Sequence, residues 1–445
     1  MWKCASRREG QLFERVIAGA ETSIGSFQTS DPHLARNASA LTFQDGLGRG
    51  AQALWQVTDR RSGLDFHLAV KLYDRFAGLR IDCSLRNAGT QMIHLDHLVP
   101  VKGRVVGRNG SNAGPLRVLA NGFISWDYAH AKKIEPAEAV RSYDSVAVSV
   151  PPLVAGFLSA KSAYGTFDYG FPWSKTPTLQ GRAEFNIPLP AGQTREADPL
   201  FILFPEDVLK GLEDYATAVE HFNKLRPKHY TNTAWCSWYA GYGRARQANL
   251  DALERAVIEN AKLMTPLVPL GVDTLRVVDD SNSERFGDWN FPFVPHGMAN
   301  LARRLRAMGR KPGVWLAPAF VSETSNVFKQ HPDWLQRYSD GELITWKNFY
   351  GNTMHFFDAS NPAVLEYLRQ LFTRIRNWGY EYVMIDFMYL FGISDHYTNP
   401  RLTRAQIYRG ALEAIRDALG QDIYLLGCGA PQLASAGLVD GMRIG

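Results

Sequence analysis

The feature that most constrains this chain is a change of hydrophobic period near residue 205. Before it, short runs alternate apolar and polar residues. In Gly78–Leu85, Leu79, Ile81 and Cys83 alternate with Arg80 and Asp82. A period of two sends successive side chains to opposite faces of a strand. Ser145–Val150, Leu153–Ser159, Ala183–Pro188 and Leu200–Phe204 are further short apolar or β-rich runs, punctuated by Gly, Pro and Asn. Many short strands with turn signals predict an antiparallel β-sandwich. Val208–Leu225 then adopts helical spacing and stops at Arg226–Pro227. The boundary is placed there, with residues 1–228 forming the sandwich and its linker helix, and 229–445 a second domain.

After Thr231, strands and helices alternate. Strands are expected over Ala234–Tyr239, Thr274–Asp280, Pro312–Pro318, Tyr382–Phe387 and Ile423–Cys428, with a last one starting at Met442–Ile444. Helices are expected over Leu250–Met264, Met298–Met308, Pro362–Trp378 and Arg404–Leu419. Ser360 is a plausible cap of the third, whose Leu365, Leu368, Phe372 and Ile375 make one apolar stripe. This alternation implies parallel strands joined by helices, and by itself leaves a barrel and an open sheet both possible. The irregular stretch Ser281–His296 follows a strand directly. It would therefore sit at the C-terminal face of the strands, where barrels keep their active sites.

Composition narrows the function. A net charge of +5 is spread along the chain with no basic run, which argues against nucleic acid. No apolar stretch is long enough to span a bilayer, and the start MWKCASRREG lacks the apolar core of a secretory signal, so a cytoplasmic protein is expected. Four dispersed cysteines read as reduced, mostly buried thiols. His296, His331, His355 and His396 are scattered, and no metal site or phosphate loop is legible.

Polar and aromatic groups gather at the expected strand ends. Asp279 and Asp280 close one strand, Trp315 lies near the end of the next, and Asp386 follows apolar Val383 and Ile385. Cys428 and Arg443 end the last two. A carboxylate after a buried strand is costly unless paired or functional, although such residues also serve as caps and loop anchors. Neutral sugars need acidic acceptors for their hydroxyls and flat rings against their C–H faces. Asp279, Asp280, Trp238, Tyr239 and Trp315 meet that need.

The motifs that carry these residues are TAWCSWYAGYG (Thr233–Gly243), VVDDSNSERFGDW (Val277–Trp289), KPGVWLAP (Lys311–Pro318), VFKQHPDW (Val327–Trp334), YVMIDF (Tyr382–Phe387) and LLGCGAPQLASAGLVDGMRIG (Leu425–Gly445). In this order they resemble α-galactosidases of glycoside hydrolase family 36. NGFISW (Asn121–Trp126) and VAGFLSAK (Val154–Lys161) extend a weaker resemblance into the first half.

The resemblance implies a β-sandwich, a (β/α)8 barrel and no cofactor. It implies a retaining double displacement on an oligosaccharide or other α-galactoside, with Asp386 as nucleophile. By it, Asp279 and Asp280 bind sugar hydroxyls, and Trp238, Tyr239 and Trp315 line the pocket. Cys428 lies close to the sugar, Arg443 contacts a hydroxyl and the carboxylates, and Trp126 reaches over from the sandwich. Such a mechanism needs two carboxyls about 5–5.5 Å apart.

Two departures stand out. The family has Lys two residues before the nucleophile, and Met384 stands there; a thioether cannot donate to a hydroxyl. The family's general acid is an Asp just past DGMRIG, which falls beyond Gly445, and Asp440 precedes the strand and is not given the role. By the same resemblance the barrel stops at its sixth strand, so the chain is expected to be a truncated product or partial sequence with little or no hydrolase activity. Two rival readings remain. One is a galactosyltransferase of the raffinose or stachyose synthase type, and the other a non-catalytic sugar-binding homologue.

Overall fold

A computed structural model describes residues 2–6, 10–74, 77–106, 116–171, 176–225, 234–240, 252–278, 284–291, 294–348 and 351–444, with side chains from Phe13 onward. Among these residues the N-terminal part folds as two antiparallel sheets, one of seven strands and one of ten. Alternation drives both. In Gly78–Asn87, Leu79, Ile81, Cys83 and Leu85 turn inward while their neighbours stay partly exposed. In Thr178–Leu189 the same alternation buries Leu179, Ala183, Phe185 and Ile187. Phe66 and Ile81 of one sheet join Leu98 and Phe167 of the other in one core. Each such side chain is worth about 1.5–3 kcal/mol relative to exposure. The helix Val208–Asn223 is capped by Asp207 and lies on the ten-stranded sheet, where Tyr215 donates to Phe157 O at 2.6 Å.

The second part is a curled six-stranded parallel sheet, an incomplete (β/α) barrel. Its strands in order are Ala234–Cys236, Thr274–Val277, Lys311–Leu316, Tyr382–Ile385, Tyr424–Gly427 and Gly441–Met442. We refer to them as the first to sixth strands. The first and sixth form its edges. Val277, Val314, Val383 and Leu425 lie at matched levels and are fully buried.

Helices Ala252–Leu263, Met298–Ala307, Pro362–Trp378 and Arg404–Leu419 connect the strands. The last two match the sequence reading residue for residue. Asn361, rather than Ser360, caps Pro362–Trp378, because its side chain reaches Ala363 N at 3.0 Å. The buried stripe of that helix is Val364, Leu368, Leu371, Phe372 and Ile375, with Leu365 only partly covered.

Three other expectations are corrected. The first strand ends at Cys236, so Trp238 and Tyr239 stand on a turn. The second strand ends at Val277, and Asp279 and Asp280 lie outside the described residues. A small antiparallel sheet of Phe320–Ser322, Trp346–Lys347 and Thr353–Phe356, unread in the sequence, is inserted after the third strand. Strands of two to four residues are too short to display a period.

The two parts dock through specific bonds. Ile124 bridges Pro431, Ser125 N donates to Ala430 O at 3.2 Å, and Thr403 Oγ1 donates to Ser162 O at 2.6 Å. Arg404 pairs with Glu184 at 3.2 Å. Leu433 N donates to Asp144 Oδ2 at 3.2 Å. The Asp144 carboxyl is pushed up to about 7 by burial; the Leu433 amide opposes the shift and Asp198 adds to it. A folded-state value above the unfolded one means that the folded chain holds the extra proton, so stability falls as pH rises from about 4 to about 7. Asp144→Asn keeps an acceptor for Leu433 and removes this dependence. Its stability relative to the parent should rise across that window by as much as a few kcal/mol, measured by urea denaturation at pH 5 and pH 8. An unchanged difference at the two pH values would contradict the assignment.

Candidate active site

Parallel strands deliver their C-terminal ends to one side of the sheet, and the groups that follow them converge there. Asp386 follows the fourth strand and is 7% exposed. Its Oδ2 accepts from Trp315 Nε1 at 3.0 Å, and its Oδ1 accepts from Phe387 N at 2.9 Å. Its own amide donates to Leu316 O at 2.9 Å. Phe387 stands at φ +55°, a left-handed conformation that costs a non-glycine residue about 1–3 kcal/mol and is characteristic of functional sites.

Asp386 opens onto a cavity of about 190 Å³. Trp126, Trp238, Tyr239, Trp315 and Arg443 share its wall, so the structure brings these sequence-predicted residues together. Met384 lies there too. The turn holding Trp238 and Tyr239 is pinned by Ser237, whose hydroxyl accepts from Val278 N at 2.8 Å and donates to Val278 O at 3.2 Å. Trp126 arrives from the N-terminal part on the segment that bridges Pro431, and packs edge-on against Phe387 with centroids 4.8 Å apart. Gly429, at φ +51°, makes room for it, since a Cβ there would lie 2.8 Å from the Trp126 ring.

Cys428 lies behind the wall, fully buried. Its sulfur receives Trp126 Nε1 at 3.2 Å and Arg443 Nη1 at 3.6 Å, and it bonds Asp386. Burial, reinforced by the Asp386 carboxylate, pushes its thiol up to about 12. Asp440 takes no part. It pairs with Arg416 at 2.7 Å and accepts from Leu425 N at 2.8 Å, at the opposite end of the fifth strand.

Sequence reasoning missed other wall residues. Phe286 belongs to the irregular stretch expected at this face, and stacks on Trp289 at 4.7 Å. Phe320, Trp346 and Asn348 come from the inserted sheet, with Phe320 and Trp346 stacked at 5.3 Å. Arg276 lines the cavity from the second strand. A cation interrupting the apolar run Thr274–Val278 was the signal for it. Among the described residues Asp386 is the one carboxylate on the wall. The described residues also hold no cluster of potential metal ligands, and no helix among them is long and apolar enough to cross a membrane.

An aromatic-walled cavity over a tethered carboxylate thus lies at the C-terminal end of the parallel strands, the face at which barrel enzymes keep their active sites. Comparison with known proteins agrees. The melibiase family profile matches residues 262–411. The chain is 26% identical over 194 residues to α-galactosidase Mel36A of Lactobacillus acidophilus, covering 42% of this chain and 24% of that one. It is 25% identical over 190 residues to the bifunctional α-galactosidase/sucrose kinase AgaSK of Mediterraneibacter gnavus, covering 40% and 19%. Among solved structures, AgaA of Geobacillus stearothermophilus, a family 36 α-galactosidase, shares the fold at TM-score 0.69 and 15% identity, over 96% of this chain and 64% of its own. TtGalA of Thermus thermophilus, solved with p-nitrophenyl α-D-galactopyranoside, does so at 0.58 and 24%, over 92% and 74%. Residues 262–411 thus resemble the melibiase family, and the chain shares the fold of the family 36 α-galactosidases. The matched stretches span less than a quarter of either curated relative's own length.

The Cys428 environment is directly testable. A shift from 9.0 to about 12 lowers the thiolate fraction at pH 8 by roughly a thousandfold. Cys428 should therefore resist iodoacetamide in the native protein at pH 8 and react once urea is added, as read by peptide mass spectrometry. Prompt native alkylation would contradict the burial described.

Proposed function

We propose that this chain carries the nucleophile half of a retaining α-galactosidase site, with Asp386 attacking the anomeric carbon of a terminal α-galactoside. The observation that carries this reading is the Asp386 carboxylate itself, bonded on both oxygens and turned into an aromatic-walled cavity. Oδ2 accepts from the Trp315 indole, Oδ1 from the Phe387 amide, and the Cys428 thiol bonds the carboxylate as well, three donors for about four lone-pair sites. Those bonds hold the carboxylate in one orientation and leave it able to attack. The carbon–oxygen bond to the leaving group breaks as the Asp386–C1 bond forms, and water then attacks C1 to release the sugar.

Trp238, Tyr239, Trp315 and Trp126 offer faces and edges for the ring, and Arg443 offers a cation near the carboxylate. The names of the relatives, and the α-galactoside bound in one of their structures, support the glycone assignment. Asp279 and Asp280 are assigned the hydroxyls of the sugar by resemblance. A retaining site also needs a proton donor about 5–5.5 Å from the nucleophile. Among the described residues the wall carries no second carboxyl, so a leaving group that departs without protonation tests the Asp386 step by itself. Met384 favours one second reading, a pocket that holds the sugar without turning it over.

A fluorinated α-galactosyl fluoride separates the two. Fluoride leaves without acid help, and the fluorinated sugar stays on the nucleophile. One label per chain, on the peptide containing Asp386, is expected, and Asp386→Ala should abolish it. An unlabelled chain that still binds galactose would establish the binding reading instead.

A further inference from the structure

Arg276 is the charged wall residue that the mechanism above leaves unused. It sits on the second strand in register with Cys236 on one side and Gly313 on the other, and Gly313 is in register with Tyr382. Residues in register on neighbouring strands share a face. Arg276 therefore belongs to the layer of Cys236 and Tyr382, one step below the Trp315–Met384 pair. Its side chain reaches Met384 on the fourth strand, two strands away.

The guanidinium ends among weak acceptors. Nη1 points at Met384 Sδ at 2.7 Å, and Nη2 at Cys236 Sγ at 3.1 Å. The Tyr382 hydroxyl also bonds it, and Nε is buried with no partner. Among the described residues no carboxylate pairs with it. The other well-buried arginines are served differently. Arg310 donates to Ala261 O and Thr265 Oγ1, Arg409 to Ala434 O, and Arg416 to Leu438 O and Asp440. A structural arginine in this protein thus finds oxygen. Arg276 finds two sulfurs and a single phenol oxygen, keeps Nε unpaired, and faces the cavity. A guanidinium has five donors in a rigid fork and no acceptor, and sulfur is a poor partner for it. Leaving such a cation half-served in a partly buried place is costly, and an oxygen-rich ligand removes that cost.

We propose that Arg276 is a substrate-contacting residue, whose guanidinium donates to ring hydroxyls of the glycone seated over Met384. It selects sugars that present hydroxyl oxygens toward the second strand. This rests on the glycosidase reading of the same pocket. Neutral hydroxyls are favoured over a sugar carboxylate, because Asp386 already places a negative charge on this wall. The donor that the resemblance would put at position 384 is supplied from a different strand.

The test compares second-order labelling by the fluorinated α-galactosyl fluoride in the parent, Arg276→Met, Arg276→Lys and the double variant Arg276→Met/Met384→Lys, with thermal unfolding as the folding control. Arg276→Met should label at least tenfold more slowly, Arg276→Lys should fall between, and the double variant should recover to within about threefold of the parent. Lost packing would not be cured by a lysine at 384. Labelling of Arg276→Met at the parent rate, or a folded double variant as slow as the single one, would overturn the proposal. So would faster labelling of the parent by the corresponding galacturonosyl fluoride. If the parent is not labelled at all, the glycosidase reading fails by itself. Calorimetric binding of 1-deoxygalactonojirimycin then decides about Arg276: at least tenfold weaker binding in Arg276→Met supports the proposal, and equal binding overturns it.

Discussion

The bond from Trp315 Nε1 to Asp386 Oδ2 ties the third strand to the group that follows the fourth, and the rest of the site is arranged around it. It exists only because Trp315 and Met384 are in register, which brings position 386 to the end of its strand facing inward. A slip of one residue along the fourth strand would send Asp386 to the helix side and bring Ile385 to the cavity. The slip would place the Asp386 carboxylate on the face where Val383 and Ile385 are fully buried, and that cost opposes it. Neutralising Asp386 would remove the charge that the indole and the Phe387 amide serve, and a hydrogen bond to a charged group is worth about 1.5–3 kcal/mol. The left-handed Phe387 is sustained by the same bond, since its amide is the second donor to the carboxylate.

The half-barrel alone does not complete the pocket. Trp126 belongs to the N-terminal part, yet its ring edge meets Phe387 and its indole nitrogen reaches Cys428. The bridge from Ile124 to Pro431 and the bond from Ser125 to Ala430 fix this segment beside the end of the fifth strand. The sandwich therefore acts as one wall of the site as well as its support. Any change that loosened the docking would open the cavity from the Trp126 side before it disturbed Asp386.

Much of this was legible in the sequence, and the illegible parts share a cause. Period two and period 3.6 located the two architectures, and Pro362–Trp378 and Arg404–Leu419 had sharp ends because proline, glycine and a capping box marked them. Asp386, Trp315, Trp238, Tyr239 and Arg443 were legible because each carries polarity or aromatic bulk near a strand end, and Trp126 only through the resemblance of its NGFISW segment. The inserted sheet was not legible, since its strands run only two to four residues. The cap at Asn361 was missed by one residue, because Ser360 and Asn361 are both competent and only tertiary placement chooses between them. Arg276 broke the apolar pattern of its strand in plain view. Its meaning depended on Met384, 108 positions later, lying within reach.

That pairing exposes a feature of the pocket as a whole. Both arginines on its wall reach sulfur, Arg276 at Met384 and Cys236, beside the Tyr382 hydroxyl, and Arg443 at Cys428. Sulfur satisfies a cation weakly but packs as a polarisable, largely apolar group. In such surroundings a ligand's oxygens gain more from each guanidinium than they would in water. A wall of carboxylates would have quenched both cations in advance and left a sugar little to gain. The sulfur atoms leave that gain to a ligand, which is what the proposed function asks of a pocket that seats a neutral sugar over Asp386.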